Sequence, residues 1–310
     1  MVITHKKTRS FLFKIKASLF VLILSLGLVF HACSKEQIIV PKVTPEPTDL
    51  RLVGKFVWYD LFTIDLKSTS RFYEELFGWS FSDTASKERL VKTIARDGVP
   101  IANAILIDSE KGNVNEGLWL SYMSVEDVDR ALVVAKKNNG TIYMQPKDLP
   151  NRGRIAIVKD PEAALFAVVT TSDGDPPDQG LIQNHWMGSE LWSTNPDAAL
   201  TFYHLLVGYE QQFVDVGAGP KYRFLVKNGQ TRGAIVKIPW DDVKTNWLPY
   251  IAVEDVMTIV AKAEELGGKV LVEPDKAIRE GRVAIITDPS GAVFAVQQFS
   301  DIHSGGETLR

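Results

Sequence analysis

Asp60-Leu61-Phe62-Thr63-Ile64-Asp65, followed by Arg71-Phe72-Tyr73 and Leu76-Phe77-Gly78-Trp79, decides the fold because it occurs twice. Its second appearance is Glu190-Leu191-Trp192-Ser193-Thr194-Asn195, Thr201-Phe202-Tyr203 and Leu206-Val207-Gly208-Tyr209, displaced by 130 positions. Further along, Trp119-Leu120-Ser121-Tyr122 answers to Trp247-Leu248-Pro249-Tyr250, and Val125-Glu126-Asp127-Val128 to Val253-Glu254-Asp255-Val256. Gly153-Arg154-Ile155-Ala156 answers to Gly281-Arg282-Val283-Ala284 and Asp160-Pro161 to Asp288-Pro289, these later pairs displaced by 128. Landmarks repeating in one order mark an internal duplication.

Each copy restarts its own pattern halfway. Val57–Ile64 is β-branched and aromatic, which suits a strand. Ser68–Phe77 places Phe72 and Leu76, and Tyr73 and Phe77, four apart on one helical face. Gly78 stands where a helix end favours positive φ. Lys92–Ala95 and Pro100–Ile107 form a strand pair around the Asp97-Gly98 turn signal. The second unit opens with strand Leu118–Met123 and continues with a helix over Glu126–Asn138, for which Ser124 is a candidate cap. Strands at Thr141–Gln145, Arg154–Val158 and Leu165–Thr170 follow. The equivalent second-copy helix is expected over Glu254–Leu266.

The chain of 310 residues suits about two domains. A net charge of −3 and a pI near 6.0 give no basic excess for nucleic acid. The single cysteine excludes an internal disulfide framework and multi-cysteine metal sites. That residue, Cys33, closes a stretch with Lys6, Lys7, Arg9, Lys14 and Lys16, no acid, and an apolar run from Ala17 to Phe30. The run has the length of a signal-peptide core and is short for a membrane span. It resembles a bacterial lipoprotein signal, with Ala32 before the cleavage point and Cys33 as the lipidated residue. The expected organisation is signal 1–32, Pro-rich tether 33–52, first domain 53–171, linker 172–184, second domain 185–300 and tail 301–310. Acylated Cys33 implies a lipid bilayer as partner at the bacterial envelope, and Ser34 after it favours the outer membrane.

The order βαβββ–βαβββ, with Trp58-Tyr59-Asp60-Leu61, Phe72-Tyr73, Phe77-Gly78-Trp79, and Gly281-Arg282 followed by Asp288-Pro289-Ser290-Gly291-Ala292-Val293-Phe294, resembles the vicinal-oxygen-chelate superfamily. This is the glyoxalase, bleomycin-resistance and extradiol-dioxygenase group. The resemblance spans about 55–299 and implies an α+β fold. Two tandem copies would each curl paired βαβββ units into an incomplete barrel around a cavity.

The resemblance also implies metal-ligand positions. A strand-one histidine would fall on Trp58 and Gly188, a strand-five histidine on Leu120 and Leu248, and a last-strand acid on Ala167 and Ala295. No Asp or Glu lies between Gly98 and Ile107 or between Gly229 and Ile238. Metals need imidazole, carboxylate or thiolate, so no metal and no cofactor are expected. If Trp58 and Leu120 take the inward positions that the resemblance implies, alternation along the strands turns Asp60, Phe62 and Tyr122 inward with them in copy one. In copy two it turns Glu190, Trp192, Tyr250 and Gln297 inward. These are the candidate ligand-binding residues, with Asp60 and Glu190 as candidate bases and Trp240 as a candidate lid. A metal-free binder of a small organic molecule is the expected function, as a monomer or weak homodimer. A lyase, isomerase or dioxygenase-type enzyme using Asp60 or Glu190, and a structural or partner-binding lipoprotein, are the alternatives.

Overall fold

The computed structural model describes residues 40–84, 90–108, 116–214, 222–238, 243–276 and 278–299. In the first copy β1 (Phe56–Thr63) leads into α1 (Leu66–Phe77), β2 (Ser80–Asp83), β3 (Val91–Arg96) and β4 (Val99–Leu106). The pattern restarts with β5 (Leu118–Ser124), α2 (Val128–Lys137), β6 (Thr141–Leu149), β7 (Gly153–Lys159) and β8 (Leu165–Thr171). The second copy opens with β9 (Trp186–Ser193), α3 (Pro196–Val207), β10 (Glu210–Val214), β11 (Tyr222–Lys227) and β12 (Gln230–Lys237). It closes with β13 (Asn246–Val253), α4 (Val256–Glu265), β14 (Lys269–Val272), β15 (Val283–Thr287) and β16 (Val293–Gln298).

Each copy is one eight-stranded mixed sheet, ordered β2-β3-β4-β1-β5-β8-β7-β6 and β10-β11-β12-β9-β13-β16-β15-β14. β1 and β5 pair antiparallel at the centre, and each runs parallel to the last strand of its own unit. Two βαβββ units thus fuse into a sheet that does not close, the incomplete barrel expected from the sequence.

Helix ends follow local chemistry. Asp65 accepts from the Lys67 and Ser68 amides to start α1, and Gly78 ends it at φ 72°. α2 and α4 begin two residues later than expected, behind Asp127 and Asp255. Ser124 is not the α2 cap, because it ends β5 and its Oγ donates to Asp175 Oδ2 at 2.6 Å. β2 had no signal in the sequence, since its residues are exposed or half-buried and carry no apolar alternation.

The two copies share one core. Tyr59 stacks on Trp186 at 4.2 Å, Phe56 meets Trp247 at 4.8 Å, and Phe166 meets Tyr203 at 5.5 Å. A pseudo-symmetric polar tie crosses the same interface. Trp247 Nε1 donates to Tyr203 Oη at 2.6 Å, and that phenol donates to Asp160 Oδ2 of the other copy at 3.0 Å. Trp119 Nε1 donates to Tyr73 Oη at 2.8 Å, and Tyr73 lies against Asp288. Trp119 and Trp247 are thus core residues that close each sheet on its helix.

The segments expected as tether and linker are packed where they are described. Val40 and Val43 are buried, the Thr48 amide donates to the Asp173 carbonyl at 2.7 Å, and Arg51 Nη1 donates to Asp175 Oδ1 at 3.2 Å. Asp175 is fully buried and also accepts from the Leu52 amide at 2.6 Å and Thr171 Oγ1 at 2.8 Å. A buried carboxylate needs such donors, so this stretch is fastened to the first domain. The signal segment with Cys33, Trp240, His303 and the tail lie outside the described residues. Among the described residues no helix is long and apolar enough to cross a membrane.

Burial pushes the Asp160 and Asp288 carboxyls up to about 6 from an ordinary 3.8. The native state holds these protons more tightly than the unfolded chain. Their stability contribution is therefore full below the unfolded value and is lost as pH rises through about 6. At about 1.4 kcal/mol per unit this is ~3 kcal/mol for each group. Urea unfolding of the wild type and the Asp160→Asn, Asp288→Asn double variant between about pH 4 and 7 checks it. The wild type should lose stability relative to the variant as pH rises, and a constant difference would contradict the assignment.

Candidate functional site

The face of each sheet turned away from its helices carries the candidate residues. In copy one Trp58, Phe62, Leu120, Tyr122 and Ala167 belong to one buried cluster on that inner face. Asp60 sits among them. Its Oδ1 accepts from Trp58 Nε1 at 3.0 Å and Asn103 Nδ2 at 3.1 Å, and its Oδ2 from Tyr122 Oη at 2.5 Å. Burial first, and the Asp60 charge second, push the Tyr122 phenol well above its ordinary value, so it stays a donor.

A cation completes this cluster. Arg152, in the turn between β6 and β7, is 1% exposed. Its Nη1 lies 3.9 Å from Asp60 Oδ1, and its guanidinium stands 4.0 Å from the centroid of the Trp58 ring. Burial pulls this guanidinium below its ordinary value while Asp60 opposes the shift. Its Nε and Nη2 donate to the Pro41 carbonyl at 3.4 and 3.2 Å. Val40 and Val43 join the same cluster, so the first inner face is filled by the protein itself.

Copy two repeats the chemistry with more room. Glu190 Oε1 accepts from Tyr250 Oη at 2.7 Å and from Trp192 Nε1 at 3.1 Å. Arg279 donates to Glu190 Oε2 and to Gln297 Oε1, and its guanidinium lies 5.3 Å from the Tyr250 ring centroid. Leu248, Val283, Ile285 and Ala295 floor this face, with Met187, Trp192 and Val293 half-buried around them.

Two differences open the second face. Gly188 pairs with Tyr250 as Trp58 pairs with Tyr122, so copy two has no side chain where copy one has an indole. A Cβ added at Gly188 would meet only the Arg232 carbonyl, at 4.0 Å. Ala234 pairs with Glu190 where Asn103 pairs with Asp60, which removes an amide donor. Arg279 takes that role from a one-turn 3-10 helix, Arg279–Gly281, whose φ angles are 45°, 59° and 80°. Positive φ at Arg279 and Glu280 is uncommon for residues with a Cβ.

The structure brings together Trp58, Asp60, Phe62 and Tyr122 in one cluster, and Glu190, Trp192, Tyr250 and Gln297 in the other. Asn103, Arg152 and Arg279 were not foreseen. Their signal was indirect: an inward acid requires a cation, and arginines flank Gly153 and Gly281. Arg154 and Arg282, the arginines of the repeated Gly-Arg turn, form structural pairs with nearby acids. Arg154 bridges Asp129 at 2.7 Å and Asp148 at 3.0 Å, and Arg282 pairs with Glu280 at 3.0 Å.

These residues do not fit a metal of the superfamily type. The corresponding positions carry Trp58, Gly188, Leu120, Leu248, Ala167 and Ala295, and each acid already faces a guanidinium. Among the described residues no three His, Cys, Asp or Glu come together as a metal group. His185 precedes β9, and His204 on α3 turns Nδ1 to the Tyr209 carbonyl at 2.7 Å.

The family model described as glyoxalase/bleomycin resistance protein/dioxygenase superfamily matches residues 55–168 and again 182–296. "Putative glyoxylase CFP32" of Mycobacterium tuberculosis is 28% identical over 241 residues, covering 77% of this chain and 92% of that protein. "Anthracycline biosynthesis protein DnrV" of Streptomyces peucetius is 26% identical over 262 residues, covering 80% and 94%. Among solved structures, the Mn(II)-bound glyoxalase from Novosphingobium aromaticivorans superposes with a TM-score of 0.52 at 15% identity, covering 82% of each chain. The 2,3-dioxygenase LapB from Pseudomonas sp. KL28 gives 0.52 at 11% identity, covering 84% of this chain and 94% of that one. These structural matches establish the fold.

Arg152 is the cation whose loss strands a buried charge. Arg152→Met should destabilise the protein by about 3–5 kcal/mol in urea unfolding, and adding Asp60→Asn should restore part of that. Arg279→Met should cost less, because the Arg279 side chain is 14% exposed where that of Arg152 is 1%. Equal costs would contradict the difference drawn between the two faces.

Proposed function

The chain belongs to the glyoxalase/bleomycin resistance protein/dioxygenase superfamily, and from that premise we propose a lipid-anchored, metal-free member. Its function is to bind a small organic ligand on the inner face of the second copy. The observation that carries this is the Glu190–Arg279–Gln297–Tyr250 cluster at the rim of a face left open by Gly188. Apolar walls with a few fixed polar groups suit a drug-sized ligand. Half-buried Trp192, Met187 and Val293 favour one with an aromatic or aliphatic body. The guanidinium and phenol favour one bearing carbonyl, hydroxyl or carboxylate oxygen. Relatives named for anthracycline biosynthesis make hydroxylated aromatic compounds the class to try first.

A base at Asp60 or Glu190 has less support. A general base needs a free lone pair facing the substrate, and both carboxylates already accept several donors and face a cation. The metal-free state rests on the same pairing, since the positive charge a metal would bring is supplied by Arg152 and Arg279. The anchor in this proposal is Cys33, at the outer membrane of a bacterial envelope.

Three measurements test the proposal. Elemental analysis of purified protein should find no stoichiometric metal, and a screen of hydroxylated aromatics should raise the melting temperature and quench tryptophan fluorescence. Arg279→Met should weaken that binding at least ~10-fold, or about 1.4 kcal/mol. One tightly held metal per copy, or binding indifferent to Arg279, would overturn it. Radiolabelled palmitate should mark the wild-type protein in the producing bacterium and be absent from Cys33→Ala; label persisting in that variant would exclude Cys33 as the acylated residue.

A further inference from the structure

The first inner face has the chemistry of the second and already has an occupant. Val40 and Val43 are 6% and 7% exposed, in the same cluster as Trp58, Leu120 and Tyr122. Between them Lys42 turns outward and pairs with Asp173 at 2.8 Å. The Pro41 carbonyl accepts from Arg152, and the Val40 carbonyl accepts from Asn151 Nδ2 at 3.4 Å. Thr44 is buried behind Val43 and donates to the Glu46 carbonyl at 2.5 Å. Apolar side chains seated inward, main-chain carbonyls held by side-chain donors and a charged residue facing out are the features of a docked peptide. Pro41 fixes one backbone angle, which lowers the entropy lost on docking.

Among the described residues copy two has no counterpart. The stretch that precedes β9 holds Asp175, which is fastened to Arg51, Leu52, Ser124 and Thr171 of the first copy. We propose that Val40–Thr44 is a ligand bound in cis. The first inner face is a site for a short apolar peptide that bends from Val43 onward, and the chain's own N-terminal segment keeps it occupied. Thr48 and Arg51, a few residues on, are fixed to Asp173 and Asp175, so the segment is presented at high effective concentration. A free peptide of the same sequence competes poorly against it. Among the described residues the second inner face has no such occupant. This holds whether or not the second face binds a small molecule.

The test uses the full chain and a fluorescent synthetic peptide of residues 40–46. In Val40→Asp, Val43→Asp the segment carries charge into an apolar cluster and leaves it. The labelled peptide should then bind this variant at least ten-fold more tightly than it binds the wild type. A peptide carrying the same two substitutions should not bind. A second measurement covers poor folding of that variant. Trypsin cleavage after Lys42 in the native wild type should be at least ten-fold slower than in the milder Val40→Ala, Val43→Ala. Equal peptide binding by wild type and variant, or equal cleavage of wild type and the alanine variant, would overturn the proposal.

Discussion

Each copy places one carboxylate on the inner face of its sheet, and a carboxylate removed from water must be met by donors or a cation. That constraint shapes what surrounds both sites. Asp60 draws in Trp58, Asn103, Tyr122 and Arg152. Glu190 draws in Trp192, Tyr250 and Arg279. The same need explains why the two arginines occupy non-equivalent positions. Repeat landmarks in this region lie 128 apart, yet Arg152 and Arg279 are 127 apart. The cation is reached by different local routes, a buried turn in one copy and a strained 3-10 turn in the other.

The second organising feature is the exchange of helices between copies. Phe72 of α1 packs on Phe294 of β16 at 6.2 Å, and Tyr203 of α3 packs on Phe166 of β8. Each Phe-Tyr helix therefore covers a strand of the other copy, and the Trp–Tyr–Asp tie is shared across the interface. A chain built this way buries its helix faces internally. Its inner faces are left to differ, and they have done so. Trp58 against Gly188, Asn103 against Ala234, and the presence of Val40 and Val43 turn one face into packed interior and leave the other open.

Most of the fold was legible because duplication supplied two samples of every element. The inward set on β1 and β5, Trp58, Asp60, Phe62 and Tyr122, followed from alternation once the family resemblance had fixed which face is inward. Apolar periodicity and the repeat located α1, α2 and α4 within a few residues, and the repeated Phe-Tyr landmark implied α3. What alternation could not supply was anything held by a turn. Arg152 and Arg279 lie outside strands, and no period points them inward. Ser124 looked like a cap because local sequence cannot reveal that Asp175, 51 residues away, accepts from it. Val40-Pro41-Lys42-Val43-Thr44 looked like a tether because prolines signal extended backbone. The segment bends from Val43 to Glu46 and seats Val40 and Val43 on the inner face, contacts that no local pattern signals.

The account stands on the inequality of the two inner faces. Hydroxyl-radical footprinting of the native protein, read by mass spectrometry, measures it directly because, among the described residues, each face carries one methionine and one tryptophan as reporters. Met187 and Trp192, half-buried on the second face, should oxidise readily, while Met144 and Trp58 on the first should be protected. Equal oxidation of the two pairs, or faster oxidation of Trp58 and Met144, would contradict it.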